Sequence, residues 1–250
     1  MLDRAPVCRF AGLRTVGAKP KLCGECSARE LAVCGAFEPD LAARLEALLA
    51  PVRLAPRRAL FAEGDPADSL YTLRSGTLSF AKSLPDGRRQ VVGFLSAGAF
   101  VGHAFEARYV YTAEAITVCE LCRFPRREFE ALLQRFPVME HRLLEAVSNE
   151  LSQAQDHMLI LGRKTARERV ATFLLAMLAF PGARGAGPEL VVLPMNREDV
   201  ADYLGLRLET VSRTLGALRD EGVITLLEPQ RIRIRARDAL ERLAAGSPPA

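Results

Sequence analysis

The chain has 250 residues, 49% hydrophobic and 26% charged, long enough to bury one large core or two smaller ones. It has no run of 18 apolar residues, and "MLDRAPVCRFAGLRTVG" at the start lacks the apolar stretch of a secretory signal, so no membrane association and a cytoplasmic protein are expected. In that reducing compartment six cysteines point to metal or redox chemistry rather than structural disulfides, while a net charge of +4 decides little.

Residues 1–38 read as a cysteine-bearing, loop-rich lead-in. Within it "LCGECSARELAVCGAF" sets the spacing Cys23-x2-Cys26-x7-Cys34. Three thiols so close suit core packing, disulfide halves, or metal ligands awaiting a fourth partner; Cys8, Cys119 and Cys122 are the candidates for that partner. A zinc site remains a competing use, since Cys119-x2-Cys122 repeats the Cys23-x2-Cys26 spacing, though far along the chain.

The lead-in is followed by a sensor region, 39–136. "DLAARLEALLAPVRL" reads as one amphipathic helix with Leu41, Leu45, Leu48 and Leu49 on one face. From Pro56 to Phe124 short β-prone runs alternate with turn signals such as Pro85-Asp86-Gly87, which predicts a small antiparallel barrel or roll. Cys119 and Cys122 lie three apart on a predicted strand, so they point to opposite faces. A short helix over "RREFEALLQRF" closes the region.

A long helix is predicted from Pro137 to about residue 162. Along it Val147, Leu151, Ala154, Met158 and Leu161 recur at spacings of 4, 3, 4 and 3, the 3.5-residue period of a coiled-coil seam, which favours a homodimer over packing within one chain. Residues 163–250 then hold a helix, a flexible loop "FPGARGAGPEL", and a helix-turn-helix pattern. Asn196 caps the first helix, Ala201 lets the two helices approach, Gly205 makes the turn and Val211 anchors the second. On that second helix Glu209, Ser212 and Arg213 share a face near the N-terminus, where base edges are read in the major groove; Arg207 and Thr210 flank it. Arg213 suits guanine O6 and N7, Glu209 cytosine N4, and Ser212 either kind of group. Arg207 stands where a Ser or Thr cap is usual, and offers a phosphate a cation instead. "VITLL" and "RIRIR" form a predicted wing, whose Arg231, Arg233 and Arg235 face the DNA backbone.

Roll, long helix and winged helix-turn-helix in this order resemble the cyclic-AMP receptor protein (CRP/FNR) family of transcription regulators, over roughly residues 20–243. "FAEGDPADSLYTLRSG", "GFLSAGAFVG" and "EDVADYLGLRLETVSRTL" carry the resemblance. It implies an α+β protein: an antiparallel β-roll like that of cyclic-nucleotide-binding domains, a dimerisation helix and a C-terminal winged helix-turn-helix. Nucleotide-binding members follow Phe-x-Gly with Glu and place Arg before a Ser/Thr-Ala pair. Here Gly102 precedes His103 and the pair reads Tyr111-Thr112-Ala113, so a cyclic nucleotide is not expected.

The cysteine spacing resembles the wider-spaced variant of the fumarate and nitrate reduction regulator (FNR) branch. That resemblance implies one 4Fe–4S cluster per subunit on Cys23, Cys26, Cys34 and a cysteine of the roll. Cys122, three residues before Pro125 as in the family, is the expected fourth ligand, and Cys119 a packing residue. Lys19, Lys21 and Arg29 would favour the thiolates. The resemblance further implies palindromic TTGAT-type sites in double-stranded DNA, contact with RNA polymerase, and oxygen-controlled activation of anaerobic or microaerobic genes. The resemblance implies a dimer weakened by cluster loss; Ala154 stands in the seam where oxygen-dissociated members can carry Asp, so the monomer–dimer part of that switch does not carry over to this chain from the resemblance alone. The rival readings are a family regulator sensing nitric oxide, or haem through His103, His141 or His157, and a zinc or iron–sulfur enzyme. No glycine-rich phosphate loop, Ser-His-Asp order or carboxylate pair supports an enzyme.

Overall fold

The computed structural model describes residues 14–15, 23, 26, 28, 31–36, 39–103, 106–183, 185 and 187–246. Helix α1 (Pro39–Leu48) buries Leu41 and Leu45, but it ends six residues before the helix expected from the sequence. Pro51 cannot donate a helical hydrogen bond, and the alternation of buried Val52 and Leu54 about exposed Arg53 suits a strand. The chain therefore passes straight into β2 (Ala50–Leu54), where the roll begins, ahead of the expected Pro56.

Two antiparallel sheets make the roll. One runs β1 (Arg14–Thr15), β2, β9 (Cys119–Pro125), β4 (Ser69–Ser75) and β7 (Phe100–Val101). The other runs β3 (Ala59–Phe61), β8 (Thr112–Ala115), β5 (Leu78–Ser83) and β6 (Arg89–Leu95). Strand β1 shows that the lead-in is not all loop: Arg14 and Thr15 pair with Arg53 and Val52. Gly76 turns β4 into β5 at φ +92°, where an added Cβ would lie 2.3 Å from the Val118 carbonyl oxygen, so only glycine fits. Leu60, Phe61, Tyr71, Leu73, Leu78 and Leu121 belong to the core between the sheets.

Side-chain parity on the first sheet decides where the candidate site lies. On β4, Tyr71 and Leu73 belong to the roll core, while Leu70 packs outward on the cluster formed by α1, α2 (Arg126–Arg135) and the base of α3 (Pro137–Arg163). On β9, Cys119 and Leu121 face the roll core, and Cys122 and Phe124 face outward. The two cysteines thus lie on opposite faces, as a three-residue offset on a strand requires.

After α3 come α4 (Ala166–Ala179), β10 (Leu190–Val192), α5 (Arg197–Leu204), α6 (Leu208–Asp220), β11 (Ile224–Glu228), β12 (Arg231–Ile234) and α7 (Arg237–Ala244). Thr165 and Glu168 close a capping box on α4, and Asn196 and Asp199 one on α5. The stretch expected as a flexible loop instead holds a 3-10 turn (Pro181–Ala183) and leads into β10, which pairs with β12 and makes the wing three-stranded. Helix α5 docks on the roll through charge: Arg57 forks onto Asp199 with both contacts at 3.1 Å, Arg89 reaches Asp202 at 3.4 Å, and Gln90 Nε2 donates to the Asp202 and Tyr203 carbonyls.

Candidate metal centre and nucleic-acid interface

Cys23, Cys26, Cys34 and Cys122 line one pocket, together with Ala42 and Leu45 of α1, Thr72 and Arg74 of β4, and Phe124 of β9. All four are thiols, not disulfide halves. Three elements set this up. The pairing Thr72↔Cys122 between β4 and β9 forms the floor, α1 forms a wall, and the Cys23 backbone N–H donates to Glu46 Oε1 of α1 at 3.3 Å. The lead-in turn Val33–Ala36 packs against α3. Leu31, two residues before that turn, lies against Gly98, where an added Cβ would come within 2.5 Å of the Leu31 Cβ.

Burial pushes the Cys122 thiol up to about 12; the charges of Cys23, Cys26 and Cys34 push the same way, and Arg74 pulls it down. Cys119 is different in kind. It is fully buried in the roll core, donates to the Thr77 carbonyl at 3.3 Å, and has its pKa raised by burial to about 11. Cys8, Lys19, Lys21 and Arg29 lie outside the described residues. Among the described residues no group of three His, Cys, Asp or Glu side chains is gathered as around a single ion; the four thiols stand round the pocket walls. Four soft sulfur donors in a largely apolar, half-enclosed setting fit the donor set of a thiolate-bound metal centre.

Among the described residues the histidines gather into no second centre. His103 meets Tyr111 edge-on at 5.3 Å, His141 is exposed 3.4 Å from Glu145, and His157 is buried, stacked 4.2 Å from the Tyr203 ring. The interior of the roll is filled with rings: Phe61 stacks on Tyr109 at 3.6 Å, and Tyr111 Oη accepts from the Gly102 N–H at 3.1 Å.

Helix α3 turns its apolar stripe outward. Val147, Leu151 and Met158 are 47%, 56% and 64% exposed, Ala154 is exposed and Leu161 half-buried. Exposure of that order along one helix face leaves it uncovered by the described residues.

In the C-terminal domain Gly205 adopts φ +59°, ψ +39°, and Ala201 and Val211 are buried where α5 and α6 meet. This turn leaves Arg207, Glu209 and Arg213 exposed, with Ser212 and Thr210 half-buried beside them. Arg207 makes no side-chain cap bond among the described residues. Arg197 Nη1 lies 3.5 Å from Ser212 Oγ, so α5 borders the same face. On the wing Arg231, Arg233 and Arg235 are exposed and alternate with buried Ile232 and Ile234. The pairing that docks α5 on the roll was not anticipated from sequence. Neither Asp199 nor Arg57 is singled out by the sequence.

Comparison with known proteins matches this order of parts. Residues 51–136 fit the family model of the cyclic nucleotide-binding domain, and residues 168–243 that of the Crp-like helix-turn-helix domain. The chain is 40% identical over 220 residues to the transcriptional activatory protein AadR of Rhodopseudomonas palustris, covering 88% of this chain and 92% of that one. It is 39% identical over 221 residues to the nitrogen fixation regulation protein FixK of Bradyrhizobium diazoefficiens, covering 84% and 92%. The solved structure of FixK2 from Bradyrhizobium japonicum matches with a TM-score of 0.73 at 35% identity, covering 81% of this chain and 98% of that one. A roll, a long helix with an outward apolar stripe and a winged helix-turn-helix with its reading face open, matched along most of their length by such relatives, make this chain a DNA-binding member of the CRP/FNR family of transcription regulators.

Proposed function

We propose that this regulator is an oxygen-responsive activator: a homodimer that holds one 4Fe–4S cluster per subunit on Cys23, Cys26, Cys34 and Cys122 and reads palindromic TTGAT-type sites. The observation that carries the proposal is the sharing of one pocket by those four thiols, on the outer face of the roll beside the base of α3. When bound, such a cluster supplies an oxygen-labile, redox-active tie between the lead-in and the roll.

The chain's own residues do the rest. Cys122 keeps its proton at neutral pH while buried, so it must release that proton to become a ligand, and Arg74 favours the release. With the lead-in docked, Cys122 shares an apolar cluster with Met139 and Leu143 of α3. This cluster braces the base of the helix whose stripe, from Val147 to Leu161, pairs with a second copy. Two α6 helices then enter half-sites about 34 Å apart, with Arg213, Glu209 and Ser212 toward the bases and Arg207, Thr210 and the wing arginines toward phosphates. Ala154 adds no like charges to the seam, so loss of the tie weakens DNA binding more than it separates the subunits. The ring-filled roll and Tyr111, in place of an arginine, support a regulator with no cyclic nucleotide; action through RNA polymerase rests on the family resemblance.

Binding to TTGAT-N4-ATCAA DNA and to a scrambled duplex, each with and without air, tests this. Tight, specific binding without air and weaker binding after exposure is expected. Equal affinity for both duplexes would overturn the site assignment, and indifference to air would overturn the oxygen response.

A further inference from the structure

The Nε–H of Arg74 is buried and has no hydrogen-bond partner among the described residues. An unsatisfied buried donor loses its hydration with nothing in return; Arg123 and Arg167 hold an Nε in the same state, so it is the place of Arg74 in the pocket that gives its donor a meaning. On β4 the residue lies two positions from Thr72, the register partner of Cys122, and both Thr72 and Arg74 line the thiol pocket. Arg74 is thus a cation at the wall of a pocket whose other polar lining is four thiols and a hydroxyl. Glu46 of α1 accepts from the Cys23 backbone N–H, and no carboxylate lines the pocket among the described residues.

We propose that Arg74 belongs to the metal centre, donating from Nε to a sulfur of the bound group and offsetting its negative charge. The inference rests on the four-thiolate reading above. A core carried by four thiolates is anionic, and in a half-enclosed apolar pocket that charge requires nearby donors or cations. Arginine suits the position better than lysine. Its guanidinium stays charged at every relevant pH and directs Nε–H along a fixed plane, whereas an ammonium is a freely rotating point charge. Thr72 adds a hydroxyl on the same face.

The test uses the full chain purified without air as wild type, Arg74→Gln, Arg74→Lys and Cys122→Ser. Iron and acid-labile sulfide per chain are measured, with the rate at which a chelator strips iron anaerobically and far-UV circular dichroism as the check on folding. Iron release from Arg74→Gln is expected to be roughly tenfold faster than from wild type, with Arg74→Lys between them. Natively folded Arg74→Gln that releases iron at the wild-type rate overturns the role of Arg74 and leaves the four-thiolate reading standing. Should Arg74→Gln not fold, Arg74→Lys decides by the same comparison, and wild-type release from it overturns the proposal. Cys122→Ser that retains the wild-type iron content overturns the four-thiolate reading itself, and the Arg74 proposal with it.

Discussion

Replacing Arg57 with alanine removes the fork that holds the DNA-reading domain to the roll. Both guanidinium contacts to Asp199 are 3.1 Å long, and Asp199 is 2% exposed. Stripping one partner from a fully buried pair costs about 3–5 kcal/mol. The Arg57 side chain is 50% exposed, however, so water replaces part of what it supplies, and Arg89 stays 3.6 Å from Asp199. The expected loss is therefore about 1–2 kcal/mol. Arg57 also adopts φ +61°, unlike any other non-glycine among the described residues, a conformation that costs a residue with a Cβ about 1 kcal/mol or more. Alanine retains that cost and glycine relieves it, so Arg57→Gly should be about 1 kcal/mol more stable than Arg57→Ala. Urea denaturation measures both, and a double-mutant cycle with Asp199→Asn isolates the pair. A coupling energy below about 0.3 kcal/mol would refute the docking role assigned to Arg57 and Asp199.

Three further outcomes follow from the same structure. Gly205→Ala forces a Cβ into φ +59° and within 3.1 Å of Leu161 Cδ2, and should cost about 1–2 kcal/mol by denaturation; an unchanged midpoint contradicts it. Burial, with the charge of Arg169, holds the His157 pKa below its ordinary value. The unfolded chain then takes up the proton first, so stability present above about pH 6.5 falls as pH drops toward the folded-state value. His157→Phe should flatten that slope in urea titrations, and a slope as steep as wild type contradicts it. Leu151→Glu places like charges face to face in the proposed dimer seam at a cost of several kcal/mol. Sedimentation should show monomers where the wild type is dimeric; an undisturbed dimer locates the interface elsewhere.

The parts of this chain that were legible in sequence are those where one residue type performs one local task. Gly205 was readable as a left-handed turn, Asn196 as a cap, and Pro85-Asp86-Gly87 as the β5–β6 turn, because each acts within a few residues of itself. Opposite faces for Cys119 and Cys122 came from strand parity alone. The misread end of α1 has an equally local cause. Leu48 and Leu49 continue a helical stripe that Pro51 interrupts, and the strand that follows is fixed by pairing with residues some 70 positions away. Strand β10 was missed for the same reason, since three apolar residues after a glycine-rich stretch become a strand only beside β12. Arg74 in the candidate site and Arg57 at the junction of the domains gave no signal, because what each does depends on groups brought to it by the fold: a ring of thiols for one, a carboxylate on another domain for the other.

Iron and sulfide in the chain purified without air, followed by visible absorbance as air is admitted, measure most directly what fills the four-cysteine pocket. About four of each per chain, with a brown chromophore that bleaches in air, are expected. Stoichiometric zinc, or a metal-free protein that binds its DNA equally well in air, would contradict it.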